Sequence, residues 1–237
     1  MNLFYQNNLT ESSESVIFDS DESRHLHKVL RYHSGDTITI TNGKGGVFSA
    51  TLIEVNHKQC VAKITAYKKE AALPYQLHLA VAPTKNNDRF EWFLEKATEI
   101  GVTEITPIIC DHSERKVVKL DRFEKIIESA MKQSLKMYKP TLHPLTSFAE
   151  FTKLQLTTNS KKYIAHCENS EKILLKNACS PAESSVILIG PEGDFSYKEI
   201  EFVKKNDFIP IGLGESRLRT ETAAVVACST VYNINLK

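Results

Sequence analysis

Apolar and polar residues alternate strictly along Thr37-Ile38-Thr39-Ile40-Thr41, the period of two that marks a half-buried strand. Short apolar stretches at Leu3–Tyr5, Val16–Phe18, Val47–Val55 and Cys60–Tyr67 predict further strands. Asn42-Gly43-Lys44-Gly45-Gly46 predicts the turn after the alternating strand. One helix interrupts this series. It is expected to be capped by Ser20 or Asp21, to run through His25-Leu26-His27-Lys28-Val29-Leu30-Arg31, and to stop before Gly35. Several strands with one short helix predict a small β-barrel over residues 1–70.

Residues 71–75 (AALPY) read as a linker, and the period then changes. From 76 to 237 apolar strand runs alternate with amphipathic helices. Strands are expected at Leu77–Val81, Thr103–Cys110, Tyr163–His166, Val186–Ile189 and Phe208–Ile211. Helices are expected at Asp88–Ile100, Asp121–Ser134, Glu171–Asn177, Ser196–Lys205 and Glu221–Tyr232. In the first of these helices Phe90, Phe93, Leu94, Ala97 and Ile100 share a face, and Gly101 supplies the stop. Strand–helix alternation predicts an α/β domain on a mainly parallel sheet.

Composition narrows the function classes. Lys and Arg number 30 against 29 Asp and Glu, for a net charge of +1, so a globally basic nucleic-acid coat is excluded while a local basic face is not. Hydrophobic residues are 41% of the 237, an ordinary globular share, and no apolar run is long enough for a membrane helix. The N-terminus lacks the basic start and apolar run of a signal peptide, so the expected compartment is the cytoplasm. The 5 cysteines (Cys60, Cys110, Cys167, Cys179, Cys228) form no CxxC pair. Cys110 with His112, and His166 with Cys167, lack the usual ligand spacing, so no metal is expected.

The chemistry concentrates in two loops. Gly190, Gly193, Gly212 and Gly214 follow two apolar strands, VILIG and FIPIGLG. Loops at the carboxyl ends of parallel strands are where α/β sheets bind ligands. The first loop, GPEGDFS, ends in a capping box, Ser196 with Glu199. The second, LGESRLRTETA, runs into the last helix. Neither is a GxxxxGK[ST] or GxGxxG cradle, which argues against P-loop and Rossmann-type enzymes.

Together GPEGDFSYKE and LGESRLRTETA resemble the paired motifs of the bacterial 16S ribosomal RNA uracil-N3 methyltransferases, members of the SPOUT class. The resemblance covers nearly the whole chain. His25–Arg31 with Gly35-Asp36 is similar to that family's HxxxVLR…GD segment, and Glu95–Val102 to its KxxELGV helix. Ser113, Arg115 and Lys119 lie at its RS…K run, and Gln133-Ser134 at its EQ plus small residue. The chain departs from the family pattern at Asp194, where a second glycine is usual, and at Ser216, Arg217, Lys132 and Lys136. The resemblance implies a trefoil-knotted C-terminal domain, a PUA-like barrel that holds RNA, S-adenosylmethionine as cofactor, and a homodimer. Pattern alone would have given an unknotted doubly wound sheet.

The cofactor is expected on Ile189, Gly190, Pro191, Glu192, Gly193, Ile211, Gly212, Leu213, Gly214, Leu218 and Thr222. Lys28, Arg31, Arg115 and Gln133 are the expected RNA contacts. Uracil N3 carries a proton between two carbonyls. Its methylation needs a base and a donor for charge spreading onto the oxygens, and Glu221 and Arg219 are the candidates. Two other readings stay open: a non-catalytic RNA-binding assembly factor, and a small-molecule α/β enzyme with a structural barrel.

Overall fold

The computed structural model describes residues 2–155 and 158–236, and the chain divides into two compact units. One unit is Met1–Ala72 together with Met131–Lys139, and the other is Leu73–Ala130 with Pro140–Lys237.

The first unit contains β1 (Leu3–Tyr5), β2 (Ser15–Phe18), α1 (Ser20–Arg24), β3 (Thr37–Thr41), β4 (Gly46–Val55) and β5 (Cys60–Lys69). They form a five-stranded sheet in the order β1-β3-β4-β5-β2, with β1 parallel to β3 and the other pairs antiparallel. The alternation in β3 does what its period requires, since Ile38 and Ile40 join Phe4, Phe18, Phe48 and Leu52 in one core. The helix differs from expectation. Its cap is Asp19, whose carboxylate accepts from the N–H groups of Asp21 (3.0 Å) and Glu22 (2.8 Å). After Arg24 the winding loosens to a π-turn over His25–Val29. Arg31 lies beyond it at φ 56°. Lys28 and Arg31 therefore do not share an α-helical face, although both are exposed and neither has an ion-pair partner among the described residues.

Met131–Lys139 joins this unit through specific bonds. The Thr41 hydroxyl donates to the Met137 carbonyl (3.1 Å), the Gly45 N–H donates to the same carbonyl (2.8 Å), and Lys44 bridges to Tyr138. A Cβ at Gly45 would collide with the Tyr138 ring, so this glycine makes room for the visiting segment.

The second unit runs β6 (Gln76–Val81), α2 (Asn87–Ile100), β7 (Glu104–Ile109), α3 (Leu120–Gln133), β8 (Thr141–Leu142), β9 (Thr146–Ser147), α4 (Phe148–Gln155), β10 (Lys161–Ala165), β11 (Ile173–Leu174), α5 (Leu175–Ala178), β12 (Ser184–Ile189), α6 (Tyr197–Lys204), β13 (Ile209–Gly212) and α7 (Thr220–Ile234). The sheet order is β11-β13-β10-β12-β6-β7-β8, every pairing along it is parallel, and β9 pairs with β7.

The strand period builds three layers. Leu77, Leu79, Ile187 and Ile189 face one core with Phe93 and Leu94 of α2, Phe123 of α3 and Ala227 of α7. Ala80, Val186 and Leu188 face the other, with Phe151 of α4 and Ile200 of α6. The expected helix over Glu171–Asn177 is instead the short edge strand β11 followed by one turn, α5. Ile173 and Leu174 take the free edge of β13, and that pairing outweighs their local period. The chain leaves β12, passes through α6 to β13 on the far side of β10, and returns as α7 to pack on α2 and β6.

Candidate active site

Three strands end level with one another. Ala165 pairs with Ile189 on one side and with Ile211 on the other, so β10, β12 and β13 finish in one row. Beyond that row lie two adjoining cavities. One, about 500 Å³, is lined by His166, Cys167, Lys172 and the Ile211–Leu218 loop. The other, about 270 Å³, is lined by Ile189–Glu192, Arg219 and Thr220. They share Ala165, Cys167, Asp194, Arg217, Leu218 and Ala223, so they form one continuous groove.

Side chains lock the walls. The Thr220 hydroxyl at the start of α7 donates to the Gly190 carbonyl (3.0 Å), tying the second loop to the end of β12. Asp194 sits at φ 61°, where a residue with a Cβ is uncommon but Asp is better tolerated than most. Its carboxylate accepts from the Cys167 N–H (2.7 Å) and the Phe195 N–H (2.9 Å), so this departure from glycine ties the end of β10 to the first loop. The Glu192 carboxylate accepts from the Lys85 N–H (2.9 Å). The Ser196–Glu199 capping box forms as expected. The Ser196 hydroxyl also donates to Asp111 (2.6 Å).

Of the expected cofactor residues, Ile189, Gly190, Pro191, Glu192, Ile211, Gly212, Leu213, Gly214 and Leu218 line the groove. Gly193 and Thr222 do not. The Gly193 carbonyl lies 3.0 Å from the His112 ring, and Ala223 rather than Thr222 faces the groove, because helix phase turns the intervening residue aside. Arg219 is the N-cap residue of α7, exposed at the smaller cavity, with no side-chain capping bond. Glu221, expected beside it as a base, is not brought to the groove. It is buried in the first turn of α7, with Oε1 3.8 Å from Arg89 Nε. Arg115 spends donors on backbone, giving Nε–H to the Thr84 carbonyl (3.0 Å) and Nη2–H to the Lys85 carbonyl (2.6 Å). It thereby braces the loop between β6 and α2. Gln133 is exposed at the end of α3.

The linear reading missed the third wall. Ala165-His166-Cys167 closes the predicted strand Tyr163–His166, and a hydrophobic strand ending in polar residues beside two glycine-rich ends is a usable signal. His166 is buried, and neither ring nitrogen has a hydrogen-bond partner among the described residues. Burial, then the Lys172 charge, pushes its pKa below the ordinary value, against a pull from Asp194 and Glu168, while Lys204 adds to the push. A depressed imidazole is neutral in the native state and binds its proton more readily unfolded. Its contribution to stability is present above the ordinary value of about 6.5 and is lost as pH falls toward the lowered native value. Urea midpoints measured across that range are expected to fall on acidification, with a smaller fall in His166→Gln. Parallel curves for the two proteins would show that His166 titrates normally.

The chain is similar to known proteins over most of its length. Residues 71–232 match the model of an RNA methyltransferase domain, and residues 18–65 that of an RNA methyltransferase PUA domain. The chain is 35% identical to the ribosomal RNA small subunit methyltransferase E of Buchnera aphidicola subsp. Acyrthosiphon pisum, covering 92% of this chain and 87% of that one. It is 29% identical to the protein of the same name from Bacillus subtilis, covering 93% and 91%. Among solved structures, a probable rRNA-methyltransferase from Porphyromonas gingivalis superposes with a TM-score of 0.91 at 35% identity, covering 99% of this chain and 98% of that one. The Neisseria gonorrhoeae ribosomal RNA small subunit methyltransferase E, bound to S-adenosyl methionine, superposes at 0.86 with 26% identity, covering 99% and 98%. No described helix is long and apolar enough to cross a membrane. With a family model matching well over half of its length, and a relative at 35% identity matched over most of both chains, the chain belongs to the ribosomal RNA small subunit methyltransferase E family.

Proposed function

We propose that this chain methylates N3 of a specific uridine in 16S ribosomal RNA of the small subunit, using S-adenosylmethionine, in the cytoplasm. The observation that carries this reading is the groove along three level strand ends, with Arg219 exposed at its mouth and engaged by no ion pair among the described residues. Its residues fit the cofactor. Gly190, Gly212 and Gly214 present backbone without side chains, and His166, which lines the larger cavity, has two ring nitrogens with no partner among the described residues. Ile189, Pro191, Ile211 and Leu218 supply apolar wall for an adenine. When bound, the cofactor supplies an electrophilic methyl group on a sulfonium.

The protein has two tasks. It must accept the N3 proton and hold the charge that spreads onto the flanking carbonyls. Arg219 is assigned the second. For the first, Glu221 is held away beside Arg89, and Glu192 and Asp194 already accept backbone N–H groups. Glu168 and Glu215 are the remaining carboxylates on the groove, and the proton is assigned to one of them. Glu221 becomes a positioning residue for the first turn of α7. The target must be unpaired, since N3 lies on the Watson–Crick edge. Mass spectrometry of nucleosides from small-subunit RNA incubated with the purified chain and the cofactor tests the whole reading. Appearance of N3-methyluridine supports it, and its absence from both free RNA and assembled subunits refutes it.

The same reading includes a trefoil knot, supported by the passage of the chain from β12 beyond β10 and back to β6. It includes a homodimer, supported by Val225 and Val226 of α7, which remain only half-buried in a single chain. Light scattering is expected to give twice the chain mass of 26.7 kDa. A species at the chain mass alone, at micromolar concentration, would remove the dimer.

The PUA-like unit is assigned RNA affinity through Lys28 and Arg31. Each phosphate contact to single-stranded RNA adds about 0.7 to the slope of log affinity against log salt. Lys28→Ala with Arg31→Ala is therefore expected to lower that slope by about 1.4 and to leave cofactor affinity unchanged. An unaltered salt slope would take these residues out of the RNA contact.

A further inference from the structure

The second unit has another cavity, at the amino ends of its strands rather than the carboxyl ends. It measures about 480 Å³, and its lining includes His78, Glu104, Thr106, His143 and Ser185. His78 and Glu104 are register partners on β6 and β7. His143 follows β8, and its backbone N–H is fixed to the Ile105 carbonyl (2.8 Å). The three side chains converge. His143 Nε2 lies 2.8 Å from Glu104 Oε2, His78 Nδ1 lies 3.9 Å from the same oxygen, and the two imidazole centroids are 5.1 Å apart. One ligand atom from each of the three falls within 4.8 Å of the others.

Hydrogen bonding alone does not use this arrangement fully. Glu104 accepts one hydrogen bond from His143, but 3.9 Å is too long for a second from His78. The other nitrogen of His78 meets the Thr106 hydroxyl at 2.7 Å. If Thr106 accepts from Nε2–H, the tautomer is set and the Nδ1 lone pair points toward Glu104. That is the outer-shell bond by which ligating histidines are oriented. The cavity also contains an unmet polar group. Ser185 is 2% exposed, and its hydroxyl has no partner among the described residues.

We propose that His78, Glu104 and His143 form a three-ligand Zn²⁺ site whose fourth position opens into this cavity. Two imidazoles and one carboxylate suit Zn²⁺, whereas Mg²⁺ and Ca²⁺ prefer oxygen ligands. Tetrahedral ligation at about 2.1 Å places ligand atoms about 3.4 Å apart, so the wider separations must close by roughly an ångström while the 2.8 Å contact between His143 and Glu104 opens. Glu104 and His143 are partly exposed and can make that adjustment, while His78 stays fixed by its neighbours. The ion would clamp β6, β7 and the segment after β8. The site is independent of the methyl-transfer groove, so the proposal stands apart from that reading.

The test uses the full chain, stripped with a chelator and dialysed against zinc chloride, with bound metal measured by mass spectrometry. One Zn²⁺ per chain is expected. Competition with a chromophoric chelator should show affinity weakened at least about 10- to 100-fold in Glu104→Gln and in His143→Gln, the range that loss of even an outer-shell partner produces. Both sites are half-exposed, so these variants are expected to fold, with circular dichroism as the check. Cys167→Ser, at the other cavity, should bind zinc like wild type. Absence of uptake by the wild-type chain overturns the site. So does undiminished affinity in both folded variants, or transfer of the loss to Cys167→Ser.

Discussion

Arg219→Ala is expected to slow single-turnover methylation roughly a hundredfold to a thousandfold while cofactor and RNA bind nearly as before. The expectation comes from where the residue stands. Arg219 is the N-cap residue of α7, its side chain is exposed at the smaller cavity, and no ion pair or capping bond among the described residues engages it. The N-terminus of α7 lies at the same cavity, and a helix N-terminus favours negative charge. Neutral uracil gives such a donor little to hold. Charge accumulates on the carbonyl oxygens only as the N3 proton leaves, so the interaction strengthens toward the transition state. Loss of one preorganised donor of this kind costs about 2.7–4 kcal/mol. Arg219→Lys keeps the charge without the planar fork and is expected to remain poor. The measurement is single-turnover methylation at several pH values, with cofactor and RNA affinities in parallel. Wild-type rates in both variants, with both ligands bound, would make Arg219 a structural cap and end this account of charge stabilisation.

Gly214→Val is expected to remove most S-adenosylmethionine affinity from a chain that still folds. Gly214 has φ 138°, a conformation nearly closed to any residue with a Cβ, yet nothing lies within 4 Å of where that Cβ would be. The penalty is therefore in the backbone and not in a collision. Holding valine there costs on the order of 1–3 kcal/mol, and the exposed loop can escape that cost by changing shape. A changed loop no longer lines the larger cavity with the Gly212–Leu218 backbone. If the strain falls wholly on the bound state, it corresponds to roughly 5- to 150-fold in affinity, and more once the wall contacts go. Stability should barely move, because Gly214 is exposed and contributes nothing to either core. Calorimetric titration of the variant decides it: an unchanged dissociation constant would place the cofactor elsewhere.

Much of this protein is written in its local pattern. The alternation at Thr37–Thr41, the spacing of Phe90, Phe93, Leu94 and Ala97, and the Ser196–Glu199 box each specify an element through the few residues that form it. The glycine-rich ends of β12 and β13 also mark most of the groove in the sequence itself. Local pattern failed where a partner outside the window decided the outcome. Ile173 and Leu174 became a strand because β13 offered an edge, and Met131–Lys139 joined the first unit through Thr41 and Gly45. The helix Phe148–Gln155 drew no expectation, yet it packs Phe148 and Phe151 onto the sheet.

The finer chemistry belongs to tertiary structure for the same reason. Period and composition report which face of an element is buried. They do not report which strand lies beside it or at what register. Level ends of β10, β12 and β13 made His166 and Cys167 part of the groove. Helix phase and Arg89 turned Glu221 inward, although it stands two residues from Arg219. Register between β6 and β7 set His78 beside Glu104, and the return of the chain after β8 added His143. The sequence by itself determined the elements and the loops rich in reactive groups. Which of those groups meet was decided by strand order and register, because contacts between residues far apart in the chain are set by the whole path and not by any window along it.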